Sequence, residues 1–358
     1  MPAAKPVEAR RQTQHKLETM ARYWRTWGWI LAHNTKSGFC SKHLWLVDTM
    51  AGAGHHESVG DKDGWIPGTP LQAVLAAKAN QLAVPGVTFH VRAIDNDTAF
   101  VRDLEALVAR HRGRAPGGVD VVTFGEDWRR VTDSISSEIT APCQLPGFTS
   151  HEHRSLWLID PFGVEPLDWR LIERLPRHAE VIVNFDENTV RRFAGRAEAD
   201  ELLHGTYRDD RWKAGLGQPL GTYAQIFADQ FVRWKHRTKH ALWASGSQDR
   251  FLIHLTDAPQ ALRPFETSVK NGLKAGTLIA GDILTVQQQR AIVAGLAERF
   301  QGLTLSIDDM YAAGVGASKV QIRTLAQQAA DDDYGIWNPK ARSVTWFPER
   351  YNQPSLDL

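Results

Sequence analysis

Four acidic residues stand where short apolar runs end: Asp48 after His-Leu-Trp-Leu-Val, Asp95 after the run from Val87 to Ile94, Asp127 just after Val119 to Phe124, and Asp160 after Ser-Leu-Trp-Leu-Ile. The first is followed by Thr-Met-Ala51-Gly52-Ala53-Gly54, a turn in which no Cβ keeps a ligand from the backbone. Carboxylates accept charge-assisted hydrogen bonds that neutral side chains match poorly. If the runs are parallel strands, all these groups converge where an open α/β sheet binds its ligand, outside the carboxyl ends of the strands. Each acid alone also reads as a helix N-cap; the expectation rests on several in the correct strand order.

The fourth acid opens Asp160-Pro161-Phe162-Gly163. Amino-methyltransferases acting on nucleic-acid bases carry Asp-Pro-Pro-aromatic at this place. There a carboxylate or carbonyl accepts from the target amino group while an aromatic face holds the flipped-out base. Here the aromatic comes one position early, so Phe162 also reads as a packing residue. A dinucleotide site would want a third glycine where Glu57 stands, and the turn lacks the Lys-Ser or Lys-Thr of a triphosphate cradle.

The elements that must position these groups alternate in type. An amphipathic helix is predicted over 15–33, then strand 42–48, a polar loop to Pro67, and a helix from Gly68-Thr69-Pro70 with Thr69 as N-cap. Strand 87–94, helix 99–111, strand 119–124, helix 128–139, strand 155–160, helix 169–175 and strand 179–185 follow. Repeated strand–helix units mean a doubly wound, mostly parallel sheet of the Rossmann-like class. A charged insertion spans about 188–221, Tyr223 to Lys239 reads as a helix, and 241–245 and 250–256 as two last strands before a helix at 262–271. The stretch 285–350 changes character: helix, short strand, helix, helix from Ser318, then a hairpin, the order of a winged helix. The expected organisation is a loose arm over 1–14, a domain over 15–280 and a winged-helix-like domain over 285–350.

At 358 residues with 42% hydrophobic content the chain can fill a large core. No eighteen-residue apolar run occurs and the opening Met-Pro-Ala-Ala-Lys-Pro lacks a signal-peptide stretch, so a cytoplasmic protein is expected. Cys40 and Cys143, in no Cys-x-x-Cys spacing, supply neither a disulfide framework nor a cysteine-ligated cluster. A net charge of +1 does not announce a nucleic-acid binder. His55-His56-Glu57 and His151-Glu152-His153 carry ligand-type side chains without convergent spacing, so no metal is expected. The run from Arg233 to His240 offers phosphate contacts with Trp234 for stacking, or a solvated helix face. Trp65 and Trp212, in polar surroundings, are candidates for a surface role, and Asp331-Asp332-Asp333 after the last helix favours docking of a protein over DNA.

The pattern Asp48-x-x-x-Gly52-x-Gly54 resembles the first motif of class I methyltransferases. That resemblance implies S-adenosylmethionine held by Asp48, Ala51, Gly52 and Gly54, by Asp95 and Asn96 at the ribose, and by Asp127 and Trp128 at the adenine. Lys16-Leu-Glu with Tyr23 and Trp27, Val47-Asp-Thr-Met-Ala-Gly-Ala-Gly54, Gly68-Thr-Pro-Leu71, Ile94-Asp-Asn-Asp97, Asp160-Pro-Phe-Gly163 and Val183-Asn-Phe185 together resemble the three-Cys-motif partner protein family, TcmP. The family implies a methyltransferase-like fold and a separate three-Cys-motif partner that looks like a radical S-adenosylmethionine enzyme. The expected function is methyl transfer to nucleic acid, with Asp160, Pro161 and Phe162 at the reaction and Asn184, Phe185, Arg191 and Arg192 around the acceptor. Two rivals stand beside it: a non-catalytic platform for the partner, and a nuclease whose Asp48, Asp95 and Asp160 hold Mg²⁺.

Overall fold

In the computed structural model the described residues are 11–33, 41–57, 65–84, 86–112, 119–144, 153–161, 167–244, 247–275, 286–312, 319–331 and 335–346. The chain begins with α1 (Arg11–His33), then β1 (His43–Asp48), the short pair β2 (His55–Glu57) and β3 (Trp65–Pro67), and α2 (Thr69–Ala83). Next come β4 (Thr88–Ile94), α3 (Thr98–Arg112), β5 (Val119–Phe124), α4 (Trp128–Thr140), β6 (His153–Ile159), α5 (Trp169–Arg174) and β7 (Ala179–Asp186). The insertion holds α6 (Glu187–Ala194) and α7 (Ala199–Leu203), and α8 (Thr222–Asp229), β8 (His236–Ala244), β9 (Ser247–Thr256) and α9 (Pro259–Ala275) follow it.

The main sheet runs β5-β4-β1-β6-β7-β9-β8. β4 and β5 extend parallel from one side of β1 and β6 and β7 from the other, while β9 joins β7 antiparallel. The winding therefore reverses between β1 and β6, and in open α/β sheets a ligand binds outside the strands' carboxyl ends at such a switch point. Period-two alternation sends Leu44, Leu46, Phe89 and Val91 to a face covered by α1, α2 and α9, and Trp45, Val47, Trp157 and Ile159 to a face covered by α4, α5, α6 and α8. Burial on both faces explains why the central strands read as continuous apolar runs.

Three readings need correction. The N-cap of α2 is Gly68, and Thr69 instead donates its hydroxyl to Asp48. The loop before α2 contains the paired strands β2 and β3. The helix expected over 223–239 ends at Asp229, because Trp234 turns into the core with its indole N–H on the Ala179 carbonyl (2.9 Å) and the following residues pair with β9. Helical spacing there is overridden by the hairpin's cross-strand pairing.

The last unit contains α10 (Val286–Phe300), β10 (Thr304–Ser306), α11 (Ile307–Ala312), α12 (Lys319–Asp331), β11 (Gly335–Asn338) and β12 (Ser343–Trp346), with sheet order β10-β12-β11 and a core of its own around Phe300, Leu325 and Trp346. Ser318, the expected cap, lies outside the described residues. Among the described residues, no helix is long and apolar enough to cross a membrane.

Candidate active site at the switch point

After Asp48 the backbone is stitched to both neighbours of β1: Thr49 N donates to the Leu158 carbonyl (3.0 Å) and Ala51 N to that of Ile94 (2.8 Å). The glycine turn therefore sits astride β4 and β6. Gly52 and Gly54 have φ of +59° and +77°, the left-handed region that favours glycine. A Cβ on Gly54 would lie 2.5 Å from Leu104 Cδ1, whereas one on Gly52 would meet nothing within 4 Å among the described atoms. Gly54 is thus favoured both by its φ and by its closeness to the buried Leu104, and Gly52 presents bare backbone to a side left open by the described atoms.

Asp95 shapes that turn. Its Oδ2 accepts from Gly52 N (2.7 Å) and its Oδ1 from Asp97 N (2.9 Å), each oxygen keeping a further lone pair. Asn96 beside it is exposed. Asp127 caps α4, accepting from Arg129 N (2.9 Å), and is chelated by the Arg129 guanidinium, which holds its carboxyl below the usual range. The Trp128 ring is buried in the core, so this residue can offer a ligand its backbone alone.

The acidic end of β1 meets that of β6. Asp48 is buried, accepting from Met50 N (3.2 Å) and Thr69 Oγ1; burial, with the nearby Asp160 charge, pushes it up to about 7 against the opposing hydrogen bonds and Lys16. Asp160 accepts from Lys16 Nζ on Oδ2 and from Asn184 Nδ2 on Oδ1 (2.6 Å). Burial opposes its ionisation, but Lys16, Asn184 and Arg250 together hold it below the usual carboxylate value. Two polar atoms beside these groups, Thr49 Oγ1 and Asn184 Oδ1, are buried with no hydrogen-bond partner among the described atoms. They are groups a ligand can satisfy.

The structure brings Asp48, Ala51, Gly52, Gly54, Asp95, Asp160, Pro161 and Asn184 to one end of the sheet. Phe162 lies outside the described residues. Phe185 is wholly buried against Phe227 (ring centroids 4.9 Å apart), so it packs the core instead of lining a pocket. Arg191 pairs with the buried Glu187 (2.7 Å) and donates to the carbonyls of Gln218 and Pro219, fastening the insertion; Arg192, exposed, reaches Thr189 Oγ1 (2.9 Å).

Lys16 and Thr69 were not expected at the site. Lys16 left one mark in the sequence: it shares a helical stripe with Met20, Tyr23 and Trp27, an apolar face on which a lysine needs a partner. Elsewhere, Trp212 and Trp234 are buried, contrary to the surface roles read for them. Arg233 stacks over Trp234 (3.9 Å) and donates to the carbonyls of Glu173, Leu175 and Pro176, a structural fastening in place of a phosphate contact. Among the described residues, no group of three or more His, Cys, Asp or Glu is arranged to hold a metal ion.

No family model matches the chain, and no curated protein matches it. Solved structures similar to it include a Legionella pneumophila protein of the family DUF519 (11% identity, 70% of this chain and 91% of that one, TM-score 0.38). Trm1 from Pyrococcus horikoshii in complex with S-adenosyl-L-methionine is similar at 12% identity over 83% of this chain and 74% of that one, with TM-score 0.39. A class I S-adenosylmethionine-dependent methyltransferase described as putative in its source, Listeria monocytogenes, follows at 9% identity, 74% and 72% coverage, and TM-score 0.32. These likenesses are distant, and the functional reading rests on the chain's own geometry.

Proposed function

We propose that this chain is an S-adenosylmethionine-dependent methyltransferase acting on an amino group of a nucleic-acid base, together with a three-Cys-motif partner. The observation that carries the reading is the open-sided turn at Gly52, held by Asp95 at the switch point beside the ionised Asp160. The residues fit the cofactor: Gly52 allows close approach, Asp95 keeps lone pairs for ribose hydroxyls, and the partnerless Thr49 and Asn184 oxygens offer acceptors. When bound, the cofactor supplies an electrophilic methyl group on a sulfonium.

The chain's own part is positioning. Lys16 and Asn184 keep Asp160 charged and fixed, so its carboxylate accepts an N–H of the target amino group and turns the nitrogen lone pair toward the methyl. A carboxylate held below its usual pKa is a weak base, so Asp160 orients the nitrogen and leaves the proton to be lost after transfer. In this reading Asp127, tied by Arg129 at the start of α4, accepts from the adenine amino group. The helix–strand–helix–helix–hairpin order of the last unit supports a winged-helix-like domain over 285–350 that docks the partner or the acceptor.

The test is transfer of labelled methyl groups to total DNA and total RNA, with and without the cysteine-rich partner. The expected result is turnover by the wild type that falls roughly a hundredfold or more in Asp160→Ala. Equal turnover by both proteins overturns the assignment of Asp160. One observation favours a second reading, the non-catalytic platform: both Asp160 oxygens are already engaged by side chains. Cofactor binding with no turnover on any nucleic acid, partner present, would establish it.

A further inference from the structure

The amino ends of β6 and β7, the end of β9, the second half of α1 and the start of α9 enclose a cavity of about 780 Å³ at the end of the sheet away from the switch point. Its walls include Tyr23, Trp27, Trp29, Ile30, Glu180 and Pro264. A space of this size, aromatic and aliphatic with a few polar groups, is the form that small-molecule sites take. Trp27 is buried, while Trp29 and Ile30 keep 47% and 36% of their surface exposed. The Glu180 side chain is only 8% exposed, and a buried carboxylate needs partners. Both of its described hydrogen bonds fall on one oxygen: Oε1 accepts from Tyr23 Oη and from His254 Nε2 (2.8 Å). Burial and the Glu180 charge push the Tyr23 phenol well above its usual value, so it stays a donor. Phe265 packs on both donors, its ring centroid 4.9 Å from that of Tyr23 and 4.3 Å from that of His254.

The carboxylate is thus fixed through Oε1, and Oε2, which receives none of the described hydrogen bonds, belongs to a group in the cavity wall. Asp257 adds a second carboxylate to the described lining, against one guanidinium, that of Arg154. A fixed acceptor oxygen among indole and aliphatic walls matches an ammonium carried on an apolar body: the head takes a charge-assisted hydrogen bond, and tryptophan faces favour both cation and ring. We propose that this cavity is a binding site for an amphipathic primary amine, its ammonium on Glu180 and its apolar body against Trp27 and Trp29. The site lies apart from the glycine turn and is independent of the methyl-transfer reading.

The test is calorimetric titration of the full chain with tryptamine, and with indole-3-acetate as a probe of the same ring and opposite charge. Tryptamine should bind at one saturable site, and indole-3-acetate about tenfold or more weakly. Glu180→Gln keeps a carbonyl oxygen for Tyr23 and His254 but turns an amide NH2 to the cavity, and should lose tryptamine affinity about tenfold or more. Ala261→Trp fills the space from the α9 wall and should abolish binding; it decides the matter should Glu180→Gln not fold. Saturating S-adenosylhomocysteine should leave the tryptamine isotherm unchanged, and displacement would move the amine to the switch point and overturn the proposal. No tryptamine binding by the folded wild type, equal or tighter binding of indole-3-acetate, or affinity retained in folded Glu180→Gln or Ala261→Trp also overturns it.

Discussion

The Lys16 ammonium and the Asp160 carboxylate, 144 residues apart in the chain, are in direct contact where β6 ends. Their side chains are 10% and 13% exposed, so removing one leaves the other largely dry. Lys16→Met should cost about 2 kcal/mol of stability, read from urea midpoints, because a charged hydrogen bond is lost and its acceptor stays buried. The same variant should raise the Asp160 pKa, so that any activity it keeps falls off at a higher pH than in the wild type. An unchanged acid limb of the rate profile would show that Lys16 does not govern Asp160.

Asp48 responds to pH in the opposite sense. Its folded value of about 7 lies above the ordinary 3.8, so the folded chain holds a proton that the unfolded chain has released between those values. Stability from this group is present at pH 4, is lost as pH rises toward 7, and stays lost above it. Asp48→Asn should flatten that part of the stability curve, measured by denaturation at fixed pH steps from 5 to 8. A slope identical to the wild type would place the titration elsewhere.

The two glycines of the turn should fail differently. Gly54→Ala forces a φ of +77° and drives a methyl to 2.5 Å from Leu104 Cδ1, so a loss of about 2–3 kcal/mol is expected. Gly52→Ala meets none of the described atoms and should cost about 1 kcal/mol through φ alone. Its effect should appear in calorimetric titration with S-adenosylhomocysteine as a tenfold or greater loss of affinity. Wild-type affinity in Gly52→Ala would move the ligand away from this turn.

Arg191 separates a substrate contact from a structural one. Its guanidinium is 25% exposed and its partner Glu187 wholly buried, so Arg191→Ala should cost about 2 kcal/mol, less than a fully buried pair. The Michaelis constant for nucleic acid should stay within twofold of the wild type in the folded variant. A large rise with unchanged stability would restore the substrate role.

The sheet and the glycine turn were legible because doubly buried strands announce themselves as apolar runs, and Asp48, Asp95 and Asp160 punctuate them. The environment of those acids was not legible. Lys16 reaches Asp160 from a helix that packs across the sheet, and nothing in local spacing near residue 160 announces a cation. Thr69 read as a cap, yet Gly68 caps the helix and the hydroxyl turns to Asp48, a choice made by the approach of α2 to β1. Trp234 and Arg233 read equally as a nucleic-acid surface or a solvated helix face, because a basic, aromatic run looks alike whether its groups meet phosphate, water or backbone carbonyls.

Helix α1 is clasped from two sides. Asn80 of α2 donates its Nδ2 to the Arg25 carbonyl (3.0 Å), while His15 meets the Val269 carbonyl (2.9 Å) and a Cβ on Gly272 of α9 would lie 2.9 Å from Thr19 N. The cation of Asp160 is therefore held by two helices that, among the described contacts, never touch the carboxylate, and a side chain added at Gly272 would reach the centre by tilting its ammonium away.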